Sequence, residues 1–253
     1  MKKIVNQKAV AIIPARLQSS RLPNKPILDI CGLPMIIHVY KRCKLAKNLS
    51  EVFVATDSNE IYDLVIRNGG KAIMTSKDHG TGTDRIAEAC KKIDAEIIVN
   101  VQGDEALVNP HYIDLAVDKL VQNPEIKIGI LVNPFKKRNS PSDIKVVLNR
   151  FKDVMYFSRE DIPSNSRHAD AKMLKAYHIV PFRKKFLIEY SKMERTELEK
   201  IEFNEYLRVL EHGFKIRGIE VDSDAISVDT EEDLELVRNQ MIKDAFFKKY
   251  KPA

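Results

Sequence analysis

The chain has no tryptophan, only 9 glycines and only 3 cysteines in 253 residues. The glycines form neither a G-x-G-x-x-G nor a Walker pattern, so a phosphate chain bound here is not held in a glycine-rich cradle. Cys31, Cys43 and Cys90 are odd in number and lack metal-ligand spacing. That argues against a disulfide framework or a structural zinc site and for a reducing, cytoplasmic setting. No apolar run approaches the ~20 residues of a membrane span. The opening MKKIVNQKAVAII has two lysines but a short, interrupted apolar run and no small-residue cleavage site, so it reads as the approach to a first strand. Neither G-x-S-x-G nor a cysteine motif is present, which leaves covalent catalysis without support. The net charge is +6, from 42 basic and 36 acidic residues. Apart from small clusters at 136–138, 183–185 and 248–251 the basic residues are interspersed. This excludes a nucleic-acid footprint and leaves a solvated surface with some pull on anionic ligands.

What is there is an alternation of buried-strand and helix patterns over the first ~125 residues, which predicts a mostly parallel sheet covered by helices. Strands are expected at 9–13, 52–56, 71–74 and 97–101, apolar on both faces as buried parallel strands are. Helices are expected at 34–47, at 59–68 with Ser58 as cap and Gly69-Gly70 as stop, and at 84–92 with Thr83 as cap. The second half predicts strands at 126–132, 144–148, 154–158 and 177–182 without regular helices between them. This is a β-rich elaboration at about 144–182 and not a second α/β unit. Helices return at 184–192, 201–210 and from 231 to about 248, the last opened by a Thr230–Asp233 capping box.

Three segments can do chemistry. The first is AIIPARLQSSRLPNKPI, an apolar run that stops at Pro14 and opens into a loop with Ala15, Arg16, Ser19, Ser20, Arg21 and Lys25. Cations at the carboxyl end of a buried strand outline a polyanion site. The second is Gln102-Gly103-Asp104-Glu105, directly after the strand at 97–101. Asp104 beside a cationic loop is a mismatch unless a Mg²⁺ ion bridges carboxylate and phosphate; an ordinary Gly-Asp turn competes evenly with that reading. Asp229, at the end of an expected short strand 226–230, adds a second carboxylate, since Thr230 can cap the following helix. The third is the polar run from Thr75 to Arg85, with His79, whose helix N-terminus can receive a base edge or an anion. From composition alone it is a surface loop.

Together these segments resemble the 3-deoxy-manno-octulosonate (KDO) cytidylyltransferases, the CMP-KDO synthetases. The resemblance runs over most of the chain, through AIIPARLQSSRLPNKPI, CGLPMIIHV, VFVATD, MTSKDHGTGTDRIAEA, VNVQGDE, IKVVLN, MYFSREDIP, LEKIEFNEYLRVLEHG and VDTEEDLELVR in the family's order. It implies one α/β domain over 1–253 with a Rossmann-like, mostly parallel sheet of the nucleotide-diphospho-sugar transferase type and a small β-rich dimerisation arm. It implies a cytoplasmic homodimer that uses CTP and Mg²⁺, takes part in lipopolysaccharide biosynthesis and binds neither nucleic acid nor membrane. The implied reaction is attack of the anomeric hydroxyl of KDO on the α-phosphorus of CTP, with pyrophosphate leaving.

By that pattern Arg16 and Lys25 neutralise the triphosphate, while Asp104 and Asp229 hold Mg²⁺. Ala15, Ser76, Gly82, Thr83 and Arg85 lie around the nucleotide. Gln102, His178, Glu202 and Tyr206 face the sugar. The chain departs from the family on the sugar side. The family's His-Ile-Gly-Ile-Tyr strand falls on Ala176 to Val180, so that His178 sits two residues from the expected His, on the same face of one strand. Tyr206 replaces an amide and Ala106 a proline. These departures motivate an alternative acceptor, an 8-amino-KDO or another 3-deoxy or nonulosonic acid. A non-catalytic nucleotide-binding relative is the remaining alternative; it predicts a lost carboxylate or cation, and all four are present.

Overall fold

The computed structural model describes residues 7–18, 22–168, 170–223 and 226–252. The chain runs β1 (Ala9–Ala15), β2 (Asp29–Ile30), β3 (Leu33–Pro34), α1 (Met35–Cys43), β4 (Glu51–Thr56), α2 (Asn59–Arg67), β5 (Ala72–Met74), α3 (Gly82–Cys90), β6 (Ile97–Val101) and α4 (Pro110–Gln122). It continues through β7 (Gly129–Phe135), β8 (Lys145–Leu148), β9 (Val154–Ser158), β10 (Met173–Tyr177), β11 (Ile179–Arg183), α5 (Lys184–Tyr190), α6 (Glu197–Glu202), α7 (Leu207–Glu211), β12 (Arg217–Glu220) and α8 (Glu231–Lys243). Among the described residues no helix is long and apolar enough to cross a membrane.

Two five-stranded sheets organise these elements. The first has the order β11-β6-β1-β4-β5 and is parallel except for β11. Its helices cover both faces, and β1 shows why. Ala9, Ala11, Ile13 and Ala15 pack into one apolar cluster, while Val10 and Ile12 pack into the other, so period-two alternation buries both sides of the strand. The chain leaves β1 toward β4 and β5, then returns to pair β6 on the other side of β1. That reversal opens a crevice at the carboxyl ends of β1 and β6. The second sheet, β12-β7-β10-β8-β9, is mixed and mostly antiparallel.

Several expectations are corrected. Pro14 does not end β1, which pairs with β4 through Ala15. Pairing with β6 is over at Ile12, and the Pro14 carbonyl faces the Gly103 side, so the missing N–H costs no ladder bond. The α3 cap is Thr81, whose hydroxyl accepts from the Asp84 N–H, and Thr83 lies inside the first turn. The expected strand at 177–182 is two strands in two different sheets, broken at His178. The expected helix at 201–210 breaks into α6 and α7, because Phe203 takes a left-handed conformation at φ 50°. Residues 226–229 are not a strand; their backbone is held by a Val228 N–H bond to the Asp104 carbonyl, 3.1 Å. Strands β6 and β9, the Ser58 cap of α2 and the Thr230–Asp233 box of α8 stand where the sequence puts them.

Candidate active site

The loops after β1 and β6 meet closely. A Cβ at position 103 would stand 2.9 Å from the Pro14 carbonyl oxygen, so only glycine lets the two strand ends approach this far. Asp104 then projects beside the turn that carries Lys25. The Lys25 ammonium donates to Asp104 Oδ2 at 2.7 Å, to Asp229 Oδ1 at 3.1 Å and to the Val228 carbonyl at 2.8 Å. Burial works against the charge on Lys25, but the Asp104 and Asp229 carboxylates outweigh it and raise its pKa. Three groups 79 and 204 positions apart in sequence are thus brought to one point. The 226–229 segment that delivers Asp229 is anchored again by the Ser227 hydroxyl, which donates to Glu105. Burial, and then the charge of Asp104, pushes the Glu105 carboxyl up to about 8.

Two cavities adjoin this point. One, of about 320 Å³, is lined by Ala15, Arg16, Lys25, Gly82 and Arg85 among others. The second, of about 580 Å³, is walled by Lys137, Arg159, Lys175, His178 and Tyr206 among others. Gln102, Asp104, Phe203 and Asp229 line both. The smaller cavity carries the cations of the β1 loop and suits a polyanion. The larger is mixed in charge, with Lys137, Arg159 and Lys175 set among Asp143, Glu205, Glu232 and Asp233, and its cations can receive a smaller acid. The carboxylates stand where the contents of the two would meet.

Of the nucleotide-side residues, Arg16 is exposed at the smaller cavity. Arg85 also lines it, but its guanidinium is engaged by Asp57 at 2.9 Å and the Thr75 hydroxyl at 2.6 Å. Ser76 and Thr83 do not line it. The Ser76 N–H bonds Glu88, whose other partner is the His79 ring. The Thr83 hydroxyl donates to Glu205 at 2.8 Å and accepts from Asn100 at 3.2 Å. Ser19, Ser20 and Arg21 lie outside the described residues.

On the other side, Gln102 bonds Asn100 at 3.1 Å, and Asn100 bonds the Tyr206 hydroxyl at 3.2 Å. Ala176 and His178 both line the larger cavity although no single strand carries them. Burial lowers the His178 pKa, against the pull of Asp104, so the ring is neutral at neutral pH. Glu202 lines neither cavity. Its carboxylate accepts from the Ser158 hydroxyl and the Arg159 N–H, each at 2.8 Å. Sequence reasoning assigned no role to Lys137, Lys175, Arg159 or Phe203. The small cluster at 136–138 was the only signal for Lys137. Arg159 and Phe203 lie within two of the segments that carry the resemblance, which gave them no role, and Lys175 had no signal of its own.

Residues 10–216 match the cytidylyltransferase family. The chain is 43% identical over 245 residues to the 3-deoxy-manno-octulosonate cytidylyltransferase of Geobacter sulfurreducens, covering 91% of this chain and 98% of that protein. It is 40% identical over 239 residues to an Escherichia coli protein of the same name, covering 94% and 97%. A solved structure of CMP:2-keto-3-deoxy-manno-octonic acid synthetase complexed with CTP is similar with a TM-score of 0.89 at 40% identity, covering 93% of this chain and 99% of that one.

Proposed function

Because the chain belongs to the cytidylyltransferase family, we propose that it transfers CMP from CTP to the anomeric hydroxyl of KDO and releases pyrophosphate. The observation that carries this is the convergence of Lys25, Asp104 and Asp229 at the junction of a cation-lined cavity and a larger one of mixed charge. The hydroxyl oxygen forms a bond to the α-phosphorus as the bond to the pyrophosphate oxygen breaks. Such a displacement needs in-line placement and neutralised charge and no protein nucleophile. Arg16 and Lys25 neutralise the triphosphate in the smaller cavity. Lys175, Arg159 and Lys137 offset the acceptor's carboxylate in the larger one.

Among the described residues no cluster of three or more His, Cys, Asp or Glu side chains forms a metal cage. Two carboxylates that already share one cation do fit Mg²⁺, which takes one or two carboxylates and completes its shell with phosphate oxygens and water. Asp104 and Asp229 would hold it, with Lys25 free to turn from the carboxylates to a phosphate. Bound there, the ion would supply charge neutralisation and a lowered pKa for the attacking hydroxyl. The basis for reading the chain as a homodimer is the exposed apolar pair on and beside β9, Met155 at 63% and Phe151 at 66%. Sedimentation of Met155→Lys as a monomer where the parent chain is a dimer supports that face; an unchanged dimer overturns it.

The test of the reaction is pyrophosphate release from CTP and KDO with Mg²⁺ present, with the CMP sugar identified by mass. No turnover of KDO overturns the reading. Faster turnover of an 8-amino or nonulosonic analogue moves the acceptor to that sugar.

A further inference from the structure

Phe203 is the most exposed large apolar side chain described, at 84%, and it holds a left-handed backbone at φ 50° and ψ 46°. A bulky aromatic residue in that region is strained, and such strain persists only where the surroundings impose it. Here the conformation closes α6, with the Asn204 N–H donating back to the Glu199 carbonyl at 3.1 Å, and Arg159 holds the same turn from outside. Its Nε donates to the Glu202 carbonyl at 2.8 Å and its guanidinium reaches the Phe203 carbonyl at 3.3 Å. Its own N–H is tied to the Glu202 carboxylate at 2.8 Å. The clamp thus holds an apolar ring in solvent on a residue that lines both cavities, as Gln102 and the carboxylates Asp104 and Asp229 do. Neither burial nor a hydrogen bond accounts for a phenylalanine in this place.

We infer that the Phe203 ring is a cover for the acceptor sugar: it lies on the apolar C–H face of the bound sugar acid, holds it toward the α-phosphorus and keeps water from the junction. The segment belongs to the acceptor side. Arg159, Asn204, Glu205 and Tyr206, which hold or follow Phe203, all line the larger cavity, and only Phe203 itself reaches into the smaller one. An exposed aromatic face costs little entropy to place over a sugar, having two side-chain torsions. Excluding water matters because water attacking the same phosphorus would release pyrophosphate without making the CMP sugar.

This inference rests on the proposed reaction, and the experiment separates the two. Steady-state constants for CTP and KDO, the ratio of pyrophosphate released to CMP sugar formed, and the melting temperature are measured for the parent chain, Phe203→Ala, Phe203→Gly and Phe203→Tyr. Ala and Gly are expected to raise the KM for KDO by roughly tenfold, leave that for CTP within about twofold, and raise the pyrophosphate ratio above unity. Phe203→Gly is expected to melt no lower than the parent, since glycine relaxes the left-handed backbone, so its loss cannot be ascribed to a damaged fold. Phe203→Tyr restores both constants. Unchanged KDO constants and coupling, or equal losses for CTP and KDO, overturn the cover. A parent chain that does not turn over KDO overturns the reaction and the cover together.

Discussion

The two sides of the cleft spend their charges differently. On the nucleotide side Lys25, Asp104 and Asp229 hold one another at the cavity surface, with 16% to 24% of each side chain exposed. A ligand that brings its own anions and a divalent ion can take over these contacts. Behind the proposed acceptor cavity stand charges committed inward, on residues that do not line it. Lys145 is fully buried and donates to the Ser140 carbonyl at 2.7 Å and the Asp143 carbonyl at 2.9 Å, and it also reaches the Arg159 carbonyl. Arg208 and Glu199 form a buried two-point pair at 2.8 and 2.5 Å. The nucleotide side is arranged to exchange partners, whereas the acceptor side uses ion pairs to fix the shape of a wall.

Four changes break or sharpen that contrast. Asp104→Asn keeps the shape and removes a charge that only the ligand-exchanging side needs. Turnover is expected to fall by roughly 10³-fold, about 4 kcal/mol at the transition state, with an unaltered circular dichroism spectrum. A rate within about tenfold of the parent would remove Asp104 from the metal role. Glu199→Gln does the reverse: it leaves Arg208 buried without its carboxylate and is expected to cost about 3 kcal/mol of stability in denaturant titration. KM for CTP should stay unchanged. A stability loss under about 0.5 kcal/mol would show that the acceptor wall does not depend on this pair.

Lys25→Ala is expected to lower kcat/KM for CTP by roughly 30-fold, about 2 kcal/mol, with a smaller effect on KDO. Equal losses for both substrates would place Lys25 at the junction alone. The smallest effect concerns pH. The His178 pKa lies below its ordinary value, chiefly through burial. The ring is therefore neutral throughout pH 7–9 and gains a proton only as pH falls below about 6.5. The KM for KDO should be flat over pH 7–9 in both the parent and His178→Gln. An inflection near pH 7 in the parent alone would contradict a neutral ring.

What was legible in the sequence follows the same division. Strand β6 and the Gln102–Asp104 corner were readable because a run of five buried residues ends in a glycine and a carboxylate, all within one local pattern. The caps Ser58 and Thr230 were readable for the same reason. Thr81 and Thr83 both fit a cap by composition, and only the tertiary bonds of Thr83 to Asn100 and Glu205 decide between them. Tyr177 to Phe182 is apolar apart from His178 and reads as one strand, because nothing local says that its two halves pair with different sheets. Glu202 looked like a sugar ligand from its motif, yet Ser158 and Arg159, 44 and 43 positions away, occupy its carboxylate. The nucleotide side is built from short loops that follow single strands. The acceptor wall is built from segments that only the second sheet assembles.

The passage from β10 to β11 crosses from one sheet to the other in a single residue, His178, whose carbonyl also accepts from the Gln102 N–H at 3.4 Å. One residue spans about 3.8 Å between Cα atoms, so the two sheets have no slack at this seam. Adding or deleting a residue there would reverse which side chains of β11 face the core, since the strand period is two. The seam at 178 tolerates substitution but not a change in length. The spacing between the two substrates is therefore written into the chain as a count of residues.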